Sequence, residues 1–587
     1  MTSKTRIAGK DLALEDTIDN ATRFLAAMGI ETEAVSWLNP VPDCWSVHLQ
    51  CTGCPALYTN GKGTSRLAGL ASGLGEFLER LASNVFFADY FLANAAENLP
   101  FYFYPDELWF SPGKGGSVPA KSQQGVALLN KNLRAFYDPE GELRATHLCD
   151  NNIDSNERKI CALPFRSLTS KVTTYFPVSL LNNLYVSNGT AAGNSAAECC
   201  SQALSEIIER YVKNIVIARG ISLPDIPYAH LQKYPRLCGI LDTLAKQKLS
   251  IQVKDASLGG QFPVICVLVA DLESGGVFAA FGANCRFAVA VERTLTELLQ
   301  GRGLEQFRGF QPPCHHLELV ADPFNLESHF VDSDGLLAWH MFHHTADFPY
   351  CPWDFSGSTE QELRHLQQLI KSRGFAVYYA EYLHCGMYSC RMLVPGMSEI
   401  YPVDDLLWNN KNTGAALRPL LLRLQQMDEK GLSELFELLE TLGLGDEQLI
   451  PHLIGVLFDQ RSPWATLRIG ELKAMLLLAL GRKEEALGWC SWCIDYGALP
   501  QTRMRLYKLL QTLLNFVGMG EKISDFEVTL QLFYTTKELQ EALLLINGAS
   551  RFPGLYFADT WTEISSAHRD LLQLYRRINR MKTPAVA

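Results

Sequence analysis

The sequence predicts an α+β fold built from repeated strand–loop–helix units, followed by an all-helical domain with tetratricopeptide-like packing. The first observation is a helical segment that the chain contains twice, at 70–80 and again at 200–210. The second is a looser third copy at 291–297, and the third is a change to helix-rich sequence near residue 410. We therefore predict two domains, residues 1–410 and 411–587.

The first two copies each follow a predicted strand and a glycine-bearing loop. The strands are predicted at 56–59 and 183–186, and the loops with their helix openings at 60–64 and 187–195. Gly63 lies thirteen residues before Glu76, and Gly193 lies thirteen residues before Glu206. The equal spacing indicates a true repeat.

The third unit begins with a predicted β-hairpin. Phe262–Ala270 and Val277–Phe281 are apolar and β-branched, and the turn between them is Glu273-Ser274-Gly275-Gly276. Residues 282–284 then open the helix that carries the third copy.

From about Leu417 onward the chain is rich in Leu, Gln, Glu and Lys and has few strand signals. Residues 471–487 have the pattern of a tetratricopeptide helix pair, with a short Gly-Arg-Lys turn. One such unit predicts solenoid-like helical packing. We also predict a homodimer or partner surface here, to which Trp489, Trp492 and Tyr507 could contribute unless they pack in the core.

Composition narrows the functional class. The chain has 587 residues, 47% of them hydrophobic, and a net charge of −11, which argues against a general nucleic-acid binder. The N-terminus lacks the apolar segment of a secretion signal, and no apolar run is long enough to span a membrane. Sixteen cysteines scattered over such a chain predict reduced thiols and a cytoplasmic protein.

The repeated helices carry acids on one face. Ser72, Glu76 and Glu79 fall within about 60° of one another around their helix. In the second copy the corresponding face spans about 80° and consists of Glu198, Gln202, Glu206 and Glu209.

In the third copy Arg293 and Glu297 are one turn apart. Oxygen ligands suit Mg²⁺, and the helix openings at Thr64 and Asn194-Ser195 offer N–H groups for phosphates or simply helix caps. A single such face is more often a solvated surface, but three comparable faces favour a cation–nucleotide site.

Other motifs are weaker. The sequence has neither a P-loop nor a clean Gly-x-Gly-x-x-Gly motif, and no catalytic triad can be identified from it. Cys51–Cys54 and Cys490–Cys493 could bind zinc together, but they fall in different predicted domains, so both pairs are interpreted as structural. The segment from Cys314 to Cys351 contains several histidines in an aromatic, proline-rich setting that favours packing over metal binding.

Three blocks taken together resemble the ATP-binding signature of the YcaO family. They are Ser72-x-x-x-Glu76-x-x-Glu79, Glu198-x7-Glu206-x-x-Glu209-Arg210 and Arg293-x-x-x-Glu297. The resemblance covers residues 1–410, and the helical region resembles the subgroup typified by the Escherichia coli member. That subgroup is described as an accessory factor for methylthiolation of a small-subunit ribosomal protein, alongside the methylthiotransferase RimO.

The resemblance implies ATP and Mg²⁺ as cofactors and activation of a peptide backbone amide by ATP. It assigns the Mg²⁺-facing acids to Glu76, Glu79, Glu206, Glu209 and Glu297. It assigns nucleotide contacts to Lys10, Thr17, Ser72, Asn194, Glu198, Arg210 and Arg293. No catalytic base is identified.

The chain ends at 582–587 without the proline-rich tail typical of the peptide-cyclising members, so heterocycle formation is less well supported than the ATP site. The leading interpretation is therefore an ATP-hydrolysing, amide-activating enzyme or accessory factor that meets a protein or peptide substrate. The alternatives are a non-catalytic helical adaptor with a regulatory ATP site and an ATP-dependent cyclodehydratase or thioamide-forming enzyme.

Overall fold

The computed structural model describes residues 4–582 except 93–94, 96–98, 123–124, 151, 154–158 and 332, and of residues 307–308 the backbone only. Three β-sheets with helices between them occupy the first part, and helices alone follow Leu393 in the described residues. The mixed α/β class and the helical C-terminal region are therefore confirmed. Residues 583–587, which belong to the segment expected to lack a proline-rich tail, lie outside the described residues. No helix in the described part is both long and apolar enough to cross a bilayer.

The first sheet is an antiparallel meander preceded by helix α1 (Leu14–Ala27). Its strands are β1 (Thr32–Val41), β2 (Cys44–Cys51) and β3 (Cys54–Gly63), and helix α2 (Arg66–Ala82) follows. The predicted loop at 60–64 is therefore wrong over most of its length, because residues 60–63 pair with β2 as the end of β3. Helix α2 begins after Ser65, whose hydroxyl caps the Ala68 N–H.

The second sheet is mostly antiparallel and has the order β4-β5-β11-β12-β7, with β6 paired to β5. Its strands are β4 (Leu108–Phe110), β5 (Ile160–Ser167), β6 (Thr173–Pro177), β7 (Thr190–Gly193), β11 (Tyr378–Tyr382) and β12 (Tyr388–Leu393). The strand predicted at 183–186 is wrong, because Leu181–Tyr185 forms a π-helical turn buried in the core. The strand of this unit is β7, and helix α6 (Ala196–Arg219) follows it, capped by Ser195.

The third sheet confirms the predicted hairpin. It contains β8 (Leu249–Asp255), β9 (Val264–Asp271) and β10 (Val277–Ala283), and β10 pairs with β9 from Val277 opposite Ala270 to Ala283 opposite Val264. Helix α9 (Phe287–Leu298) carries the third copy of the repeat.

In all three units a glycine near the end of the strand lets the following helix approach the backbone. A Cβ on Gly61 would lie 2.5 Å from Gly73 N and would overlap Gly69 O, both in α2. A Cβ on Gly193 would lie 2.8 Å from Cys199 N of α6, and one on Gly282 would lie 2.9 Å from Ala290 O of α9. These glycines are required for close packing of strand and helix.

The three repeated helices are arranged cyclically between the three sheets. Helix α2 packs on β3 of its own sheet and also contacts β7 of the second sheet. Helix α6 packs on β7 and β12 and also contacts β10 of the third sheet, and α9 packs on β10 and contacts β2 and β3 of the first. The faces that carry the repeated acids are thereby brought to a common centre.

The first part contains further helices. They are α3 (Lys131–Tyr137), α4 (Ala145–Leu148), α5 (Val178–Leu180), α7 (Tyr228–Leu231), α8 (Pro235–Ala245), α10 (Leu317–Val320), α11 (Pro323–Val331), α12 (Thr359–Ser372) and α13 (Asp405–Trp408). Of these, α10, α11 and α12 pack on α6.

The C-terminal region has two apolar clusters of its own. Its helices are α14 (Leu417–Leu422), α15 (Glu429–Thr441), α16 (Ile450–Ile454), α17 (Ile469–Ala479), α18 (Lys483–Asp495), α19 (Gln501–Gly518), α20 (Glu527–Phe533), α21 (Thr536–Ile546), α22 (Trp561–Ile564) and α23 (Ser566–Asn579). The predicted helix pair is present as α17 and α18, which pack on each other, but its tetratricopeptide nature stays a prediction.

For Tyr507 the expected alternative of core packing is confirmed. Tyr507 is a core residue with 1% of its surface exposed, so it cannot contact a partner. Trp489 and Trp492 are partly buried against the same cluster, and the dimer itself stays a prediction.

The last helix returns to the first part of the chain. Leu571, Leu574 and Tyr575 of α23 belong to the apolar cluster formed by the first two sheets. The ring of Tyr575 lies edge-on to Phe87, with centroids 4.8 Å apart, and its hydroxyl donates to Tyr102 O at 2.7 Å. The boundary at residue 410 stays a prediction.

The close approach at Gly61 can be tested by substitution. We expect Gly61→Ala to destabilise the protein by about 1–3 kcal/mol, because the added methyl meets backbone atoms that cannot rotate away. Gly75→Ala is the matched control in α2, where an added Cβ meets nothing within 4 Å. We expect the control to be neutral or to stabilise by up to about 1 kcal/mol. Equal thermal unfolding midpoints for the two variants in calorimetry would contradict the packing.

Candidate functional site

The first two copies of the repeat form the same ion pair. Arg80 Nη2 lies 2.6 Å from Glu76 Oε1 in α2, and Arg210 Nη2 lies 2.9 Å from Glu206 Oε1 in α6. Each pair spans one helical turn. The sequence match between the copies therefore corresponds to matching side-chain geometry.

The second acid of each copy is held by the neighbouring unit. Glu79 accepts a 2.6 Å hydrogen bond from the hydroxyl of Thr190 in β7. Glu209 accepts a 3.1 Å hydrogen bond from the backbone N–H of Ala283, at the end of β10. These contacts orient one carboxylate from each helix toward the next sheet in the cycle.

The third copy joins the others through polar side chains. Arg293 of α9 donates to the side-chain carbonyl of Gln202 in α6. Glu297 forms an ion pair with Lys62 of β3. The electrostatic neighbours of Lys62 include Glu209, Glu76 and Glu206, so its ammonium group lies among the acids of all three units.

Burial and like charge perturb this cluster strongly. Burial, followed by the charges of Glu206 and Glu76, raises the pKa of Glu79 to about 8. Burial also raises the pKa of Glu206, and Glu209 adds to the shift while Arg210 opposes it. Burial lowers the pKa of Lys62 to about 8. Burial and like charge thus disfavour the ionised carboxylates despite the nearby cationic side chains, and bound divalent cations would relieve this.

A second cluster of polar side chains surrounds the start of α6. Glu198 is 3% exposed and accepts from Lys10 Nζ at 3.1 Å, from Asn194 Nδ2 at 3.1 Å and from the Asp11 N–H at 2.9 Å. The Thr17 hydroxyl lies 3.2 Å from Asn194 Oδ1. The structure thus brings together the four residues that the resemblance assigned here.

The predicted site residues therefore fall into two groups linked by α6. The acids with Arg210 and Arg293 form one group, and Lys10, Thr17, Asn194 and Glu198 form the other. Ser72 lies one turn before Glu76 in α2 and is partly buried. The predicted opening at Thr64 is one residue early, and the Thr64 hydroxyl contacts Glu292 at 3.4 Å.

Four residues of the site were missed by the sequence reasoning. They are Lys62, Thr190, Asp11 and Lys213. Lys62 stands between two glycines in the segment before α2, which was a usable signal. Asp11 also accepts from the hydroxyls of Ser195 and Thr359, and no local pattern could have indicated contacts over such sequence distances.

A cavity of about 220 Å³ adjoins the acids, and its walls include Glu209, Arg210 and Glu297. Lys213 also lines it and donates to the His329 carbonyl at 2.6 Å, while burial lowers the pKa of Lys213 to about 8. The guanidinium of Arg210 lies over the ring of Phe330, 4.5 Å from its centroid. Carboxylates, a guanidinium and an ammonium thus face one small space.

The residues present fit a magnesium–nucleotide complex. Arg80 Nε and Arg210 Nη1 are buried and have no hydrogen-bond partner in the described structure, so both can still donate to phosphate oxygens. Within the described residues no three His, Cys, Asp or Glu side chains are arranged to hold a metal by themselves. Mg²⁺ needs only one or two carboxylates when phosphates and water complete its shell.

The two cysteine pairs do not form one site. Cys51 and Cys54 are buried at the β2–β3 turn, whereas Cys490 and Cys493 are buried inside the helical region. Burial raises the pKa of Cys54 and of Cys490 to about 12, which disfavours the thiolate that zinc requires. The structural interpretation of both pairs is supported.

The histidine-rich segment is also explained by packing. His315 stacks on Trp339 with centroids 5.7 Å apart, and His340 stacks on His343 at 5.5 Å. All three imidazoles are exposed. His340 also lies 3.4 Å from the Asp347 carboxylate and His343 lies 3.1 Å from the Thr345 carbonyl, so all these contacts are with residues of the same segment.

Comparison with known proteins places this site in a family. The profile of the YcaO cyclodehydratase domain, described as binding ATP and Mg²⁺, matches residues 60–398. The profile of the YcaO cyclodehydratase C-terminal domain matches residues 414–584.

Two relatives match from end to end. The ribosomal protein S12 methylthiotransferase accessory factor YcaO of Escherichia coli is 42% identical over 99% of both chains. An uncharacterized protein of Haemophilus influenzae is 39% identical over 99% of both chains. Among solved structures, YcaO from Methanopyrus kandleri bound with AMPPCP and Mg²⁺ is 17% identical, covers 68% of this chain and 95% of its own, and has a TM-score of 0.41.

The raised pKa of Glu79 predicts a pH-dependent stability. Between its ordinary value of 4.5 and about 8, the folded protein binds more protons at Glu79 than the unfolded chain does. Stability of the metal-free protein should therefore fall as pH rises from 5 to 8. We expect Glu79→Gln, whose amide stays neutral, to reduce this fall in the unfolding temperature measured in EDTA.

Glu437→Gln, on the exposed surface of α15, is the control and should leave the pH dependence unchanged. An unchanged slope in Glu79→Gln would show that this carboxyl is not the group that titrates.

Proposed function

The chain belongs to the YcaO family, and from this premise we propose that it is an ATP- and Mg²⁺-dependent accessory factor for methylthiolation of a small-subunit ribosomal protein. The observation that carries the proposal is the end-to-end similarity to one such factor, 42% over 99% of both chains. This similarity extends over both the helical region and the acid-lined site. Its partners would be a RimO-like methylthiotransferase and that ribosomal protein, and its place of action the cytoplasm.

We assign two roles within the site. The carboxylates of Glu76, Glu79, Glu206, Glu209 and Glu297 would face Mg²⁺. The side chains of Lys10, Thr17, Ser72, Asn194, Glu198, Arg210 and Arg293 would contact the nucleotide.

The division of roles follows from the contacts of each group. Burial and neighbouring carboxylates raise the pKa of Glu79 and of Glu206, so these acids gain most from divalent cations. The group around Glu198 combines a hydroxyl, an amide, an ammonium and the Glu198 carboxylate, which suit the hydroxyl and ring atoms of a nucleoside. When bound, ATP supplies a phosphoryl group that can activate a backbone amide oxygen.

The two roles predict different metal dependence. We expect Glu76→Gln and Glu209→Gln to weaken ATP binding about tenfold or more in the presence of Mg²⁺ and little in EDTA. Arg293→Ala should weaken it under both conditions, because a guanidinium neutralises phosphate directly. Isothermal titration with and without Mg²⁺ measures both effects, and Glu437→Gln is the control. The same metal-independent loss in all three variants would overturn the division of roles.

A cellular experiment separates an enzyme or ATP-dependent factor from an adaptor. Cells that lack their own accessory factor are supplied with wild type, Glu76→Gln, Glu209→Gln or Glu437→Gln, and methylthiolation of the ribosomal protein is measured by mass spectrometry. We expect wild type and Glu437→Gln to restore the modification and the two site variants to lose most of it. Full restoration by folded site variants would favour the adaptor.

Failure of wild type to restore methylthiolation, combined with ATP-dependent loss of water from a peptide, would instead identify a cyclodehydratase.

A further inference from the structure

A larger cavity, of about 930 Å³, lies between the first part of the chain and the helical region. Its walls come from residues 88–90, 179–183 and 401–414 on one side and from residues 444–468 on the other. The volume is near the upper end of small-ligand pockets, about 300–1,000 Å³. None of the residues assigned to the ATP site lines it.

Two of its acids are bonded to neutral groups. Glu327 accepts from the side chain of Tyr401, and Asp405 accepts from the side chain of Asn409. Burial raises the pKa of both carboxyls. The charge of Lys411 also acts on Glu327, but neither carboxyl forms an ion pair within the described residues, so both can still meet a cationic group.

The basic side chains of the cavity are engaged with the protein itself. Lys411 pairs with Asp89 at 3.3 Å. Arg418 donates to the Ile454 carbonyl at 2.8 Å, and Arg468 donates to the Gly497 carbonyl at 3.2 Å. Lys411 thus has a carboxylate partner, the Arg418 side chain is buried in the wall, and the charge of Arg468 acts on Glu471, so none of the three favours an anionic ligand over a cationic one.

The cavity also offers groups suited to a polypeptide. Asn182, Asn409 and Gln448 line it with side-chain amides, and Gln448 Oε1 is buried without a hydrogen-bond partner in the described structure. Such amides can pair with backbone N–H and C=O groups. Phe324 in the wall and Trp408 beside Asn409 are 76% and 81% exposed, and exposed aromatic rings of this kind are enriched at protein interfaces.

Helix α11 forms a wall of both this cavity and the smaller one beside the acids. Phe324 and Glu327 line the larger cavity, whereas Leu326 and Phe330 line the smaller cavity that contains Glu209. A single short helix thus separates the two spaces.

We propose that the larger cavity docks an extended, cationic segment of a protein chain and holds it one helix away from the acid-lined site. Lysine or arginine side chains of the segment meet Glu327 and Asp405, its backbone meets the amides, and its apolar side chains meet Phe324 and Trp408. Delivery of that segment to the acids rests on the proposed ATP-dependent function, whereas the docking site itself does not.

The probe is a fluorescein-labelled ten-residue peptide with four lysines among small and apolar residues, compared with the same peptide carrying four glutamates. Binding to the full-length protein is followed by fluorescence anisotropy. We expect the lysine peptide to bind at least tenfold more tightly than the glutamate peptide. Equal binding of the two, or no binding of the lysine peptide, would overturn the proposal.

Two double variants distinguish peptide binding in the cavity from non-specific attraction to the negative charge of the whole protein. Glu327→Gln/Asp405→Asn should weaken binding of the lysine peptide at least fivefold. Glu484→Gln/Asp495→Asn removes the same charge from the exposed surface of α18 and should change binding less than twofold. Equal losses in both would show non-specific attraction and overturn the proposal.

A second pair of substitutions tests the aromatic contacts, and ATP binding checks the fold. Phe324→Ala/Trp408→Ala changes only exposed rings and should also weaken binding of the lysine peptide severalfold. Unchanged affinity for the peptide would contradict a role of these rings in docking. All these variants should keep wild-type affinity for ATP with Mg²⁺. If wild type bound the lysine peptide in this cavity but not ATP, the proposed function would fail and the docking site would stand.

Discussion

The close approach of helix to strand at three glycines is the constraint on which the rest of the structure depends. Gly61, Gly193 and Gly282 each let the following helix lie against the backbone of its own strand. A side chain at any of these positions would push the helix outward. Because each helix also contacts the next sheet in the cycle, an outward shift would separate the acids that the helices carry.

That geometry has an electrostatic cost. The acids are placed where burial and like charge raise the pKa of Glu79 to about 8 and also raise the pKa of Glu206. Lys62, Arg80, Arg210 and Arg293 oppose these shifts, and two buried guanidinium N–H groups have no acceptor among the described residues. Buried carboxylates and unpaired guanidinium donors in one place are complementary to cations with phosphates, so we propose that this cluster is a binding site whose electrostatics are completed by its ligand.

The sequence was sufficient to predict features that depend on local spacing and turn residues. Spacing and turn residues were enough to predict three features: the matched acids, the hairpin at 264–283 and the helical C-terminal region. The segment at 60–63 was mistaken for a loop, since glycine suggests a turn when its packing role is not visible. Tyr185 lies in a π-helical turn because tertiary packing overrides the β-propensity of Leu-Tyr-Val. Thr190 and Lys62 could not be paired with Glu79 and Glu297, because those contacts exist only after the three units assemble.

The end of the chain shows that the helical region is part of the framework of the site. Lys582 donates to the side chain of Asn84, just beyond the end of α2, at 2.8 Å. It also donates to the Phe103 carbonyl at 2.7 Å. With Tyr575 packed on Phe87, the last helix is tied to the segment that follows the first acid-bearing helix. Residues 88–90, which directly follow Phe87, line the larger cavity, so the proposed docking site adjoins the segment that this packing holds in place.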